Sequence, residues 1–144
     1  MDSVPLLDVV LRIEKFLADV VPSVVYTHHA GDLNIDHSVV ARAVLTACRP
    51  LPESKIVEIL AGEVNSSTEW GAAPDQMAAT EFIDIGGILE RKLKALECYK
   101  SELRDWPHPR SLKAVEALAR WRGAQVGLDA AEAFTLIRRI RCLR

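Results

Sequence analysis

A chain of 144 residues, 49% hydrophobic and 26% charged, is long enough for about one domain with a core of its own. Its net charge of −2 carries no basic excess, which argues against a nucleic-acid partner or an anionic membrane surface. No apolar run approaches the roughly 20 residues of a membrane span, and Met1-Asp2-Ser3-Val4-Pro5 lacks the positive start of a secretory signal.

Apolar residues at Leu6, Val9, Val10, Ile13, Phe16, Leu17 and Val20 share one helical face. They predict a helix over residues 4–20, with Ser3 and Pro5 at its start and Pro22 at its stop. Val24-Val25-Tyr26-Thr27 is β-branched and aromatic and reads as a short buried strand. A polar loop follows, and then Val39, Val40, Ala43, Val44 and Ala47 form the inner stripe of a second helix, ended by Arg49-Pro50. Residues 55–60 read as a strand leading into a polar, turn-rich stretch over 64–70. Residues 81–85 are another short strand, followed by the turn Gly86-Gly87. From Ile88 to Leu103 the pattern is helical. In 105–109 two prolines bracket His108 and stiffen the loop. Ser111 suits the cap of a helix reaching Gln125, Gly127 breaks it, and 130–140 reads as a last helix. On that reading Arg138, Arg139 and Arg141 form a solvated helix end, where cations suit the dipole. Helices alternating with three short strands predict an α/β fold, with helices packed on a parallel or mixed sheet. Cys48, Cys98 and Cys142 are widely spaced and odd in number, so they are expected to be buried free thiols in a reducing, cytoplasmic setting.

The chemistry-bearing residues concentrate in Tyr26-Thr-His-His-Ala-Gly-Asp-Leu-Asn-Ile-Asp-His37, between the first strand and the second helix. That is where an α/β enzyme presents a site, at the carboxyl ends of its strands. Thr27 to His37 resembles the second motif of the PIG-L/LmbE-like deacetylases, a family of zinc-dependent carbohydrate N-deacetylases. The likeness continues in order through Ala43-Val-Leu-Thr-Ala-Cys-Arg-Pro50, Ser66-Ser-Thr-Glu-Trp70, Phe82-Ile-Asp-Ile85 and residues 92–99. Pro107-His-Pro-Arg-Ser111, Arg122-Gly123 and Ala131-Glu-Ala-Phe134 complete it, so it spans essentially the whole chain. The resemblance implies a Rossmann-like three-layer sheet with flanking helices and one zinc ion held by two histidines and an aspartate. It implies hydrolysis of the N-acetyl group of a small amino-sugar conjugate of the N-acetylglucosamine type. The family's front motif, histidine-proline-aspartate-aspartate-glutamate, supplies two of those ligands and the general base, and these residues do not contain it. Pro107-His-Pro-Arg110 is the nearest string. Residues 1–144 are therefore expected to form one domain, the later portion of the family's fold without its first strands. A sheet edge left open in that way favours pairing between copies, so a homo-oligomer is expected.

His37 matches the family's third zinc ligand, and a neutral imidazole at the mouth of a helix suits that role. Asp36 reads either as a carboxylate that orients a ligand or proton-transfer group, or as the cap of a helix starting near Ser38. Asn34 stands where many relatives carry a histidine. Its amide either donates to a developing oxyanion or shapes a turn. Asp32 either binds sugar hydroxyls or shapes the same turn. His28 and His29 are adjacent in an extended segment and point to opposite sides, so one of them faces the site. His28, Asp32 and His37 have the residue types of a zinc site, at a spacing that matches no compact metal motif. His108 and Arg110 read as substrate contacts or as exposed loop residues. Glu69 and Trp70 line the pocket, with Trp70 stacking on a sugar, or else Trp70 belongs to the core. The catalytic expectation is an incomplete zinc N-deacetylase. The alternative is a non-catalytic carbohydrate-binding or interaction module derived from that fold.

Overall fold

Helix α1, Leu6–Val20, opens the computed structural model, which describes residues 3–72 and 75–141. Val21 ends the helix in the left-handed region (φ 50°, ψ 55°), its N–H bonded to the Leu17 carbonyl at 2.9 Å, and Pro22 prevents continuation. The buried side of α1, Val9 and Val10, packs with Ala43 of helix α2, Ile35–Ala47. Strand β1, Val24–His28, pairs in parallel with β2, Glu58–Gly62, in the register Val24↔Glu58 to His28↔Gly62. Ile59 of β2 joins Val44, Cys48 and Ile56 in a second cluster, against which Ile13, Leu17, Val25 and Val40 pack.

The chain divides into two compact units, residues 1–78 with 135–144, and residues 79–134. The elements above belong to the first. The second unit holds strand β3, Glu81–Asp84, then helices α3, Leu89–Leu96, and α4, Leu112–Ala124. Ile85, Leu89, Ala119 and Ala130 form its core, with Leu93 packed against them. Ser111 caps α4 as expected, its hydroxyl accepting the Ala114 N–H at 3.1 Å. Gly127 takes φ +76° in the turn that follows.

Strand β4, Ala131–Arg139, runs through both units. It completes a mixed four-stranded sheet in the order β1-β2-β4-β3, antiparallel to β3 with Glu81↔Phe134 and Asp84↔Ala131. The α/β expectation holds, and several local readings are corrected. Within residues 130–140, Ala131–Arg139 is strand, not helix. Ala131 and Ala133 are buried while Glu132 and Phe134 are only half-buried, the period-two pattern of a pleated strand. Alanine favours helix locally, but pairing with β3 overrides that preference. The arginine run is therefore no helix end. Arg139 forks onto Glu58 of β2 at 2.6 and 3.1 Å, and Arg138 Nη2 donates to the Cys48 carbonyl at 2.7 Å. The Arg139 hydrogen bond holds the Glu58 carboxyl below its ordinary range.

Helix α3 stops at Leu96 instead of reaching Leu103. Every residue from Glu97 to Glu102 is exposed, so no apolar contact sustains further turns. Strand β1 is covered on one face only. Val25 packs inward, whereas Val24 and Tyr26 are exposed. Of the cysteines, Cys48 is buried, with its thiol pushed up by that burial, Cys98 is exposed contrary to expectation, and Cys142 lies outside the described residues. Among the described residues no helix is long and apolar enough to cross a membrane.

Candidate functional site

Because β1 and β2 are parallel, their carboxyl ends lie side by side, and so do the loops that leave them. The two loops are tied together by Leu33 N–H to the Ser67 carbonyl at 3.4 Å, and His29 N–H bonds the Gly62 carbonyl at 3.1 Å. The junction centres on Asp32. Its side chain is fully covered, yet it carries an acidic group, so it must be paired to persist. One carboxylate oxygen accepts the Asn34 N–H at 2.8 Å. The other accepts the Thr68 hydroxyl at 2.7 Å and the Ser67 hydroxyl at 2.9 Å. The same oxygen faces Nδ1 of His37 at 3.2 Å. Burial works to raise the Asp32 carboxyl, but hydrogen bonds from Thr68, Asn34 and Ser67, with the nearby His37 ring, outweigh it and hold the group below its ordinary value.

The second loop is built to deliver those hydroxyls. Thr68 Oγ1 accepts the Val64 N–H at 2.8 Å and so has its own proton free for Asp32. Ser66 sits at φ 77°, a region that costs a non-glycine residue about 1 kcal/mol. Glu69 braces it by accepting the N–H groups of Ser66 at 2.7 Å and Ser67 at 3.1 Å. Trp70 beside it is 56% exposed, which overturns the core alternative for this residue.

The His37 ring is held on a second side. It stacks on His28 with centroids 4.0 Å apart and planes 9° from parallel. Nδ1 of His37 is buried and makes no well-angled hydrogen bond, so its contact with Asp32 is electrostatic in character. Of the whole His37 side chain 20% stays exposed. Burial, and then the neighbouring His37, lower the His28 pKa against a smaller opposing pull from Asp32, which keeps His28 neutral at neutral pH. His28 also lines a cavity of about 310 Å³ at the strand ends, with Tyr26, Thr27, Val40, Gly62, Glu63 and Val64. The Thr27 hydroxyl at this cavity is buried without a hydrogen-bond partner.

Asn34, not Asp36, caps α2, its side-chain oxygen accepting the Asp36 N–H at 2.9 Å. The cap alternative for Asp36 is therefore corrected. The helix begins three residues before Ser38, which leaves Asp36 exposed in its first turn, where a carboxylate complements the dipole. His29 turns the other way and meets the Asp75 carbonyl at 2.8 Å. His108 and Arg110 belong to the second unit. There His108 Nδ1 accepts the Arg110 N–H at 3.0 Å and Arg110 pairs with Glu102 at 2.6 Å. The structure thus brings together His28, Asp32, Asn34 and His37. Sequence reading missed Ser67 and Thr68 as partners of Asp32. The available signal was that residues 66–69 leave β2 just as residues 29–37 leave β1.

This fold has been solved before. The chain superposes on a conserved protein from Thermus thermophilus with a TM-score of 0.71 at 19% identity, covering 98% of this chain and 62% of that one. The N,N'-diacetylchitobiose deacetylase from Pyrococcus horikoshii, complexed with its inhibitor, gives 0.71 at 16% identity, with coverages of 94% and 54%. The 4-carboxy-2-hydroxymuconate hydratase from Pseudomonas putida gives 0.70 at 19%, with 95% and 61%. Nearly all of this chain therefore matches little more than half of each solved structure. No family model and no curated protein matches the sequence. At these identities the likeness is one of fold, and a deacetylase and a hydratase both use it.

A catalytic zinc ion takes three protein ligands and leaves a position open. Among the described residues no three histidine, cysteine, aspartate or glutamate side chains stand together as such a set. Asp32 is engaged by its own loops. The His37 side chain is 20% exposed.

Proposed function

We propose that this chain supplies one wall of a zinc-dependent N-deacetylase of the PIG-L/LmbE type, acting on an amino-sugar conjugate. His37 contributes one metal ligand, and the remaining ligands and the general base come from residues outside this sequence. The observation that supports this most is a histidine backed by a buried carboxylate at the carboxyl end of a parallel strand, the arrangement that orients metal-binding imidazoles. A fold shared with a diacetylchitobiose deacetylase agrees with it, as does the run from Thr27 to His37. When bound, the metal would polarise the amide carbonyl and acidify water.

The chain's own residues then have distinct tasks. Asp32 holds His37 in place. Neutral His28 forms part of the cavity wall beside it, where the substrate's sugar would lie. The side-chain amide nitrogen of Asn34 can donate to an oxyanion, since the cap bond uses its oxygen. Asp36, exposed at the helix start, can assist proton transfer. Trp70, exposed beside Glu69, is a proposed substrate contact.

Among the described residues no complete ligand set stands together, which favours one other reading, a carbohydrate-binding module without catalysis. Zinc calorimetry together with an acetate-release assay separates the two. The isolated chain is expected to bind zinc weakly. A polypeptide that also carries a histidine-proline-aspartate-aspartate-glutamate segment is expected to bind it tightly and to release acetate from N-acetylglucosamine conjugates. A zinc-loaded longer protein that binds such sugars and releases no acetate would establish the binding module instead.

A further inference from the structure

We infer that Asp32, clamped by Ser67 and Thr68, is a positioning residue that fixes the tautomer of His37, keeping the proton on Nδ1 and presenting Nε2 as the donor atom. Three observations converge on this. First, Nδ1 is fully buried and lies 3.2 Å from a carboxylate oxygen. A carboxylate accepts and never donates when ionised, so the favourable charge distribution places N–H on the facing nitrogen. Second, that carboxylate cannot swing away. Its two oxygens are held by the Asn34 N–H and by two hydroxyls from the neighbouring loop, at 2.7 to 2.9 Å. Third, the His37 ring cannot turn freely, since it lies flat against His28 at 4.0 Å. The side chain stays 20% exposed, and with Nδ1 buried Nε2 is the ring nitrogen left for a ligand.

The arrangement also explains a pairing across 35 and 36 residues of sequence. Ser67 and Thr68 have no direct role at His37. They neutralise the cost of burying Asp32 and aim its charge. The same hydroxyls would make a protonated, neutral Asp32 a worse neighbour, since that form has fewer acceptor positions for them.

This inference rests on the deacetylase reading for the use to which His37 is put, and not for how the ring is held. It is tested on the metal-free chain by long-range nitrogen–proton correlation spectra, recorded above the ordinary imidazole range so that the rings are neutral. His37→Gln identifies the His37 signals by their loss. The wild type is expected to show His37 as the Nδ1–H tautomer, with Nε2 as the unprotonated nitrogen. Asp32→Asn is expected to shift His37 toward the Nε2–H form, with the backbone spectrum otherwise retained. Thr68→Val, which leaves the carboxylate present but less firmly aimed, is expected to give a mixture of the two. Wild-type His37 as the Nε2–H tautomer overturns the inference. So does a folded Asp32→Asn protein with an unchanged His37 tautomer. Should Asp32→Asn fail to fold, the wild-type spectrum and Thr68→Val decide on their own, and a pure Nδ1–H signal in Thr68→Val overturns the clamping role. Failure of the deacetylase reading would appear as absent acetate release with this tautomer pattern intact.

Discussion

Thr68→Val is a perturbation whose effect can be worked through from the geometry. Valine keeps the shape of threonine, so no cavity forms at this buried position. What is lost is one hydroxyl with two bonds, the 2.7 Å donation to Asp32 and the 2.8 Å acceptance from the Val64 N–H. A hydrogen bond to a charged group contributes about 1.5–3 kcal/mol, and an unpaired buried group costs about 1–3 kcal/mol. Val64 is only partly buried, and water can recover part of the second term. The expected loss is about 3 kcal/mol. Unfolding entropy for a chain of this size is roughly 0.3 kcal/mol per kelvin, so Tm should fall by about 10 °C. If the first unit unfolds on its own, the fall is larger, because its entropy is smaller. The assay is calorimetry above pH 6, with circular dichroism as a second probe of the same transition. A fall of less than about 2 °C would mean that the Thr68–Asp32 bond contributes little, and the account of Asp32 as the hub of the two loops would be wrong.

The Asp32 carboxyl lies below its ordinary value when folded, so its contribution is complete above the unfolded carboxylate range near ~4 and is lost as pH falls through the folded value. Urea midpoints measured down the acid limb should fall less steeply in Asp32→Asn than in the wild type, and identical slopes would contradict the sign of that shift. At Gly31 a methyl group would run into the Asp75 carbonyl and come within 2.9 Å of His29 Nε2. Gly31→Ala should therefore cost about 1–3 kcal/mol in a denaturant titration, and an unchanged midpoint would show that the loop can move aside. Strand β1 ends the sheet order, with Val24 39% and Tyr26 54% exposed. If this edge pairs copies of the chain, Val24→Lys should lower the sedimentation coefficient at high concentration, and a wild type that sediments as a monomer throughout would remove the homo-oligomer expectation.

Much of the first unit could be read from residue order. The helical spacing from Leu6 to Val20 and the stripe from Val39 to Ala47 are local patterns, and local patterns survive folding when they agree with what packs on them. The run from Thr27 to His37 marked the candidate site because its chemistry is dense in sequence. The identity of the carboxylate behind His37 was not legible. Asp36 is its sequence neighbour, but adjacent residues on a helix do not face each other, whereas Asp32 approaches from the preceding loop.

Order along the chain determined that this protein has alternating helices and strands and a histidine-rich loop after its first strand, because each depends on residues a few positions apart. Tertiary structure alone decided that residues 131–139 are strand, since alanine and leucine there prefer helix until β3 offers a register of backbone partners. It also decided that Ser67 and Thr68 serve Asp32. Parallel pairing of β1 with β2 is what carries two loops more than thirty residues apart to the same end of the sheet, and a buried charge there is stable only when both are present.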